Sequence, residues 1–197
     1  MELTRRINSH FSNSIRLQQL TLERHSAEII QAAKLLADVL LQGHKILGCG
    51  MGVCTAHAQY FCTALLNRYD RDRPGLPAIA ISSDLQTIAA IAEDSSWQEI
   101  YVKQIKTLGQ AGDVLLLLSI RRDHDNIAEI IGSAHARGMS VIFIANGDSA
   151  YGESLLQSGD VMIEIPAREQ AGIVEVQVII LNCLCDLVDI HIFGDVT

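Results

Sequence analysis

The sequence predicts an α/β protein built on a five-stranded parallel sheet flanked by helices. Three observations carry this. Five short apolar runs recur along the chain, and helix-period segments lie between them. None of the runs shows the apolar–polar alternation of a strand with one wet face, so each reads as a strand covered on both sides. The order strand, helix, strand repeats throughout, the pattern that gives right-handed crossovers.

The elements follow in order. Leu3, Ile7, Phe11 and Ile15 recur every four residues and predict a first helix. A second helix is expected over 26–42, with Ser26 as N-cap and Gly43 as its stop. "KILGCG" (45–50) is the first strand, and a helix is predicted over 53–69. "AIAIS" (78–82) is the second, leading into a helical pattern over 84–108 that breaks near Asp94-Ser95-Ser96. "VLLLLS" (114–119), "VIFIA" (141–145) and "VMIEI" (161–165) complete the sheet, with helices over 124–137 and 149–157 between them.

The final helix, 170–193, is apolar nearly all round and has to be buried on most faces. Packing against copies of itself in a subunit interface is one reading, and an ordinary core helix against the sheet is the other. Glu175, Gln177, Asn182, Asp186 and Asp189 interrupt it, which argues against a membrane span.

A chain of 197 residues suits a single domain: N-terminal helices over 1–42, an α/β core over 43–170, and a C-terminal helix and tail over 171–197. It is 49% hydrophobic and 19% charged, a composition that buries a sizeable core. The net charge of −8 and the lack of a basic tract argue against direct nucleic-acid binding. Cys49, Cys54, Cys62, Cys183 and Cys185 all lie in or beside apolar segments, as expected of reduced, core-like thiols in a cytoplasmic protein. The first twenty residues hold no apolar stretch resembling a signal peptide.

Three stretches are candidates for chemistry. In "GCGMGVCTAHAQYF" (48–61) a strand runs through Gly48, Gly50 and Gly52 into a helix. Such a turn suits close approach of an anion to free backbone N–H groups, and equally a tight turn needing positive φ. A dinucleotide fingerprint is incomplete, because Val53 and Thr55 stand where its last glycine belongs. Cys54, His57 and Cys62 share a predicted helix, but no nearby groups complete a zinc site, and Cys183 and Cys185 point to different sides of theirs. No metal and no cofactor are expected. His124, flanked by Asp123 and Asp125 after the third strand, has the residue type of a general base. The better reading makes Asp123 a helix cap and Asp125 a first-turn carboxylate.

Four stretches, "KILGCGMG", "NRYDRDRPGLPAIAIS", "LGQAGDVLLLLS" and "LNCLCDLVD", are ordered and spaced as in the sugar isomerase (SIS) domains of the phosphoheptose isomerase branch, which the chain resembles over nearly its whole length. The resemblance implies a three-layer fold and a homotetramer built largely on the long helices. One subfamily isomerises sedoheptulose 7-phosphate, often with zinc. The other is the DnaA initiator-associating protein, a non-enzymatic tetramer that helps the replication initiator assemble at the origin.

Residues at the family's site positions separate the two. The isomerase turn C-G-N-G-G-S is here Cys49-Gly50-Met51-Gly52-Val53-Cys54. The family's metal-ligating His and its ligating, catalytic Glu fall on Tyr60 and Ala64. The phosphate loop S-T-S-G-N-S retains Ser119 and continues as Ile120, Arg121, Arg122, Asp123 and His124. The Gln and His completing the metal site fall on Val174 and Asn182, and an upstream Asp on Ala171, while Asp94 and Glu175 keep their carboxylates. Losing catalytic groups that act together costs many powers of ten in rate.

The resemblance therefore implies a non-catalytic tetramer of the initiator-associating type, with replication initiator DnaA as partner. A phosphoheptose isomerase or another sugar-phosphate-binding SIS protein is the alternative. The remnant sugar-phosphate site would comprise Gly50, Met51, Gly52, Val53, Cys54, Asp94, Ser119, Arg121 and His124, with no catalytic residue. Phe193, just past the apolar helix, is expected either to touch the partner or to plug the tetramer interface.

Overall fold

The computed structural model describes residues 2–120, 125–146 and 149–195. Five strands, β1 (Ile46–Gly50), β2 (Ala78–Ala80), β3 (Val114–Leu118), β4 (Ser140–Asn146) and β5 (Val161–Ile165), form one parallel sheet in the order β2-β1-β3-β4-β5. The register places Gly50 beside Leu118 and Leu118 beside Ile144.

Successive residues of the central strands feed opposite cores, as the two-residue period of a strand requires. Ile46, Leu116, Leu118, Ile142 and Ile144 pack against α1 (Glu2–Leu41), α2 (Thr55–Leu66) and α7 (Gln170–Phe193). Leu47, Cys49, Leu115, Leu117, Val141 and Phe143 face α4 (Glu99–Leu108) and α5 (Asp125–Ala136), with α3 (Leu85–Asp94) at the margin and α6 (Ser149–Leu155) completing the helices. This is the predicted architecture. Expected burial on both faces holds for β1 and β3 but not at the sheet edges: β5 alternates between buried and half-buried residues, and β2 exposes Ile79.

Several boundaries differ from expectation. The two N-terminal helices are one, α1, with a kink at His25 (φ −130°, ψ 15°) just before the expected cap Ser26. The helix predicted over 53–69 begins with a 3-10 turn (Gly52–Cys54) and stops at Leu66. Its last carbonyls are taken from outside: Arg73 donates to Ala64 and Leu65, and the Leu76 N–H donates to Leu65. The break near Asp94 is present, and Asp84 caps α3 by accepting from the N–H groups of Gln86 and Thr87.

The helix α7 packs mainly on α1 and closes one face of the sheet. Among the described residues it is the one helix long and apolar enough to cross a membrane, and half of that stretch is already buried within the fold. Its outward side is incompletely covered in the single chain: Ile179 is exposed, and Val174 and Val178 are half-buried. Cys183 is exposed there too, so the expectation of five core thiols holds for Cys49, Cys54, Cys62 and Cys185 only. The first half of α1 carries a second uncovered apolar stripe, Leu3, Ile7, Phe11, Ile15 and Leu22.

Candidate functional site

The strand order reverses between β1 and β3, since β2 lies on one side of β1 and β3 on the other. In an open α/β sheet a ligand crevice forms at such a switch, beyond the carboxyl ends of the strands. The Gly-rich turn leaves β1 there, and the segment containing Ser119 leaves β3.

A cleft of about 550 Å³ opens at this point, within the range of small-molecule sites. Met51, Gly52 and Thr55 form one wall; Ser82, Leu85, Ile88, Trp97, Gln98, Ile100 and Tyr101 form the opposite one; Ile120 and Asn126 close the end. Trp97 is 65% exposed and Leu85 77% exposed, so both stand at the rim with their apolar faces free.

Local chemistry explains the turn's shape. A side chain on Gly50 would collide with the carbonyl of Cys54, so only glycine lets the chain double back so tightly. Gly52 adopts φ +58°, and a Cβ there would meet open space. The Gly50 N–H donates to Ser82 Oγ (3.2 Å), and its carbonyl accepts from Thr55 Oγ1 (3.0 Å) and Tyr101 Oη (3.3 Å). The polar atoms of the cleft wall therefore brace the turn from three sides.

The expected remnant site is only partly assembled. Met51 and Gly52 line the cleft, and Gly50 is not among its lining residues but donates to one of them, Ser82. Val53 is exposed but does not line it. Cys54 turns inward, with its Sγ 3.2 Å from Gln177 Oε1, because the 3-10 turn rotates that side chain into the core. Burial pushes its thiol up to about 11, partly offset by the hydrogen bonds to Gln177 and to the Ile120 backbone. Asp94 is exposed at the end of α3 and is not among the cleft residues. Ser119 is buried, its N–H donating to the Ile144 carbonyl at 3.1 Å. Arg121, Arg122, Asp123 and His124 lie outside the described residues.

Three features went unread in the sequence. Ser82, just past β2, Trp97, just before α4, and Tyr101 within α4 shape the cleft, and no glycine motif marks them. Gln177, a polar interruption of the apolar helix, joins α7 to Cys54, His57 and Ser119. The stretch "NRYDRDRPG" is a clamp: buried Arg73 pairs with buried Asp189 at 2.7 Å, and Arg71 donates to the carbonyls of Phe193 and Gly194. Phe193 is half-buried, with the Arg71 and Arg73 guanidiniums 5.4 and 5.9 Å from its ring centre.

The SIS domain family model matches residues 9–146. A phosphoheptose isomerase from Alkalilimnicola ehrlichii is 41% identical over 189 residues, 96% of each chain. The chain belongs to the phosphoheptose isomerase branch of the SIS family. One from Coxiella burnetii is 40% identical over 189 residues, 96% of this chain and 95% of that one. A solved phosphoheptose isomerase from Francisella tularensis superposes with a TM-score of 0.90 at 34% identity, covering 96% of this chain and 99% of its own. One from Neisseria gonorrhoeae gives 0.88 at 32% identity, covering 95% and 98%.

The positions that the resemblance assigns to zinc and catalysis hold Tyr60, Ala64, Val174 and Asn182. Tyr60 Oη donates to Asn182 Oδ1 at 2.6 Å, and Ala64 is buried one turn further along α2. Tyr60, Ala64, Val174 and Asn182 offer no imidazole, thiolate or carboxylate, so this set does not fit a zinc ion. Among the described residues no three His, Cys, Asp or Glu side chains stand together as a metal-holding group.

Proposed function

We propose that this chain is a sugar-phosphate-binding SIS protein, with sedoheptulose 7-phosphate the first ligand to test. The observation that carries the reading is the cleft at the β1–β3 switch, walled by Gly52, Thr55, Ser82 and Tyr101. The glycine-rich turn leading into the N-terminal end of α2 suits a phosphate, and the rim Trp97 suits the C–H face of a sugar. Relatives about 40% identical over almost the whole chain are named for isomerising a phosphoheptose, which supports the same ligand class.

Turnover is a separate matter. Ala64 can neither move a proton nor hold a metal, and Tyr60 is engaged with Asn182. The reading is therefore binding without the metal-assisted isomerisation that the resemblance implies for the branch. Calorimetric titration with sedoheptulose 7-phosphate, run beside an isomerase assay, tests both halves: saturable binding without turnover supports the reading, and turnover abolished by a chelator overturns the second half.

The Tyr60–Asn182 pair also favours a second reading, the non-enzymatic tetramer that associates with the DnaA initiator. Such a protein needs no proton-transfer group at position 64, and Phe193, held by two arginines at the end of α7, offers an aromatic edge to a partner. The uncovered stripe on α1 and the outward side of α7 suit a homotetramer of single-domain subunits. The net charge of −8 suits contact with a protein and not with DNA, in the cytoplasm. Light scattering reads the assembly, and a stable monomer contradicts it. A pull-down of DnaA, weakened by Phe193→Ala, supports the partner; no retention of DnaA contradicts it.

A further inference from the structure

Gln177 is 0% exposed, and a buried amide is costly unless its donors and acceptors are met. It meets three elements. Nε2 donates to the Ser119 carbonyl at the end of β3 (2.9 Å). Oε1 lies 3.2 Å from Cys54 Sγ and 2.9 Å from His57 Nδ1.

The donor directions follow by elimination. A carbonyl only accepts, so Ser119 turns the amide NH2 towards β3, and Oε1 faces the start of α2. Both groups on Oε1 then have to donate. Burial keeps Cys54 a thiol at neutral pH, consistent with an S–H donor. His57 has to carry its proton on Nδ1. In the neutral imidazole Nε2 is then the acceptor, and it makes no hydrogen bond among the described residues.

We infer that Gln177 is a positioning residue, which holds His57 as the Nδ1–H tautomer and ties both the Gly-rich turn and the end of β3 to α7. These are the two segments that leave the sheet at the cleft, so their spacing is set from behind by one buried amide. The effect on ligand affinity rests on the sugar-phosphate reading above; the tautomer and the tie between segments do not.

The test uses the full chain labelled with 15N, observed through the two-bond couplings of its imidazoles at pH 8. Wild type is expected to show His57 with its proton on Nδ1. Gln177→Met, of similar volume without polar atoms, is expected to return His57 towards the Nε2–H form ordinarily preferred in water and to shift the amide signals of residues 50–54. Gln177→Glu separates the two roles: its carboxylate still accepts from His57, so the tautomer stays, but it cannot donate to Ser119. Both variants are expected to weaken sedoheptulose 7-phosphate binding about tenfold. An Nε2–H His57 in wild type, or a folded Gln177→Met with unchanged tautomer and unchanged 50–54 signals, overturns the inference. If Gln177→Met does not fold, wild type and Gln177→Glu still decide it. If wild type binds no sedoheptulose 7-phosphate, the ligand reading fails while the imidazole and amide signals still judge Gln177.

Discussion

The phenol of Tyr60 donates to Asn182 at 2.6 Å, joining α2 to α7 at two positions to which the resemblance assigns metal-binding histidines. A neutral hydrogen bond now occupies a place where charged, metal-holding chemistry is implied for relatives. Zinc is therefore expected to leave the wild-type protein on dialysis, whereas Tyr60→His, Ala64→Glu, Val174→Gln and Asn182→His combined are expected to retain it. Elemental analysis of the dialysed proteins checks this, and stoichiometric zinc in wild type contradicts it.

Trp97 separates binding from stability. It lines the cleft yet is 65% exposed, so truncating it removes little buried area. Trp97→Ala is expected to leave the thermal midpoint almost unchanged. Affinity for sedoheptulose 7-phosphate should fall about tenfold, roughly 1.4 kcal/mol. Calorimetry with the variant and wild type side by side checks both numbers.

Arg73 is expected to be a stability residue and not a ligand residue. Its guanidinium is buried on Asp189 and on the carbonyls of Ala64 and Leu65, and the second carboxylate oxygen of Asp189 is buried with no hydrogen-bond partner among the described residues. Removing the cation leaves that carboxylate unpaired, so Arg73→Met should cost about 3–5 kcal/mol. Arg73→Lys should rescue only part of this, because an ammonium cannot reproduce the fork. Urea unfolding measures each.

The buried thiols set an alkaline limit. Burial pushes Cys54 up to about 11 and Cys62 and Cys185 up to about 12, from an ordinary 9.0, and raises Cys49 as well. Between those values the unfolded chain releases thiol protons that the folded chain keeps. Stability is then fully present below about pH 9 and falls as pH rises, each thiol taking about 1.4 kcal/mol per pH unit within its window. Cys62→Ala should make the decline shallower, as read from urea midpoints at pH 8 and pH 10.

The sheet was legible because its signal is local: apolar runs buried on both sides, separated by helical periods. Edge strands were misread because Val161 to Ile165 look as apolar as a central strand, and only the strand order reveals the open side. The Gly-rich turn was legible in Gly50 and Gly52, but not the 3-10 rotation that sends Cys54 inward to meet Gln177 across 123 residues of chain. Arg73 and Asp189 are separated by 116 residues, and no spacing rule links them. Ser82 and Tyr101 reach the cleft through hydrogen bonds to Gly50 across 32 and 51 residues of chain, and Trp97 lies just before the helix that carries Tyr101.

The cleft beside Gly52 and Trp97 is the proposed sugar-phosphate site. Calorimetric titration of the purified wild-type chain with sedoheptulose 7-phosphate tests it most directly. Saturable binding of one ligand per chain is the predicted result, and the absence of binding at millimolar ligand would contradict it.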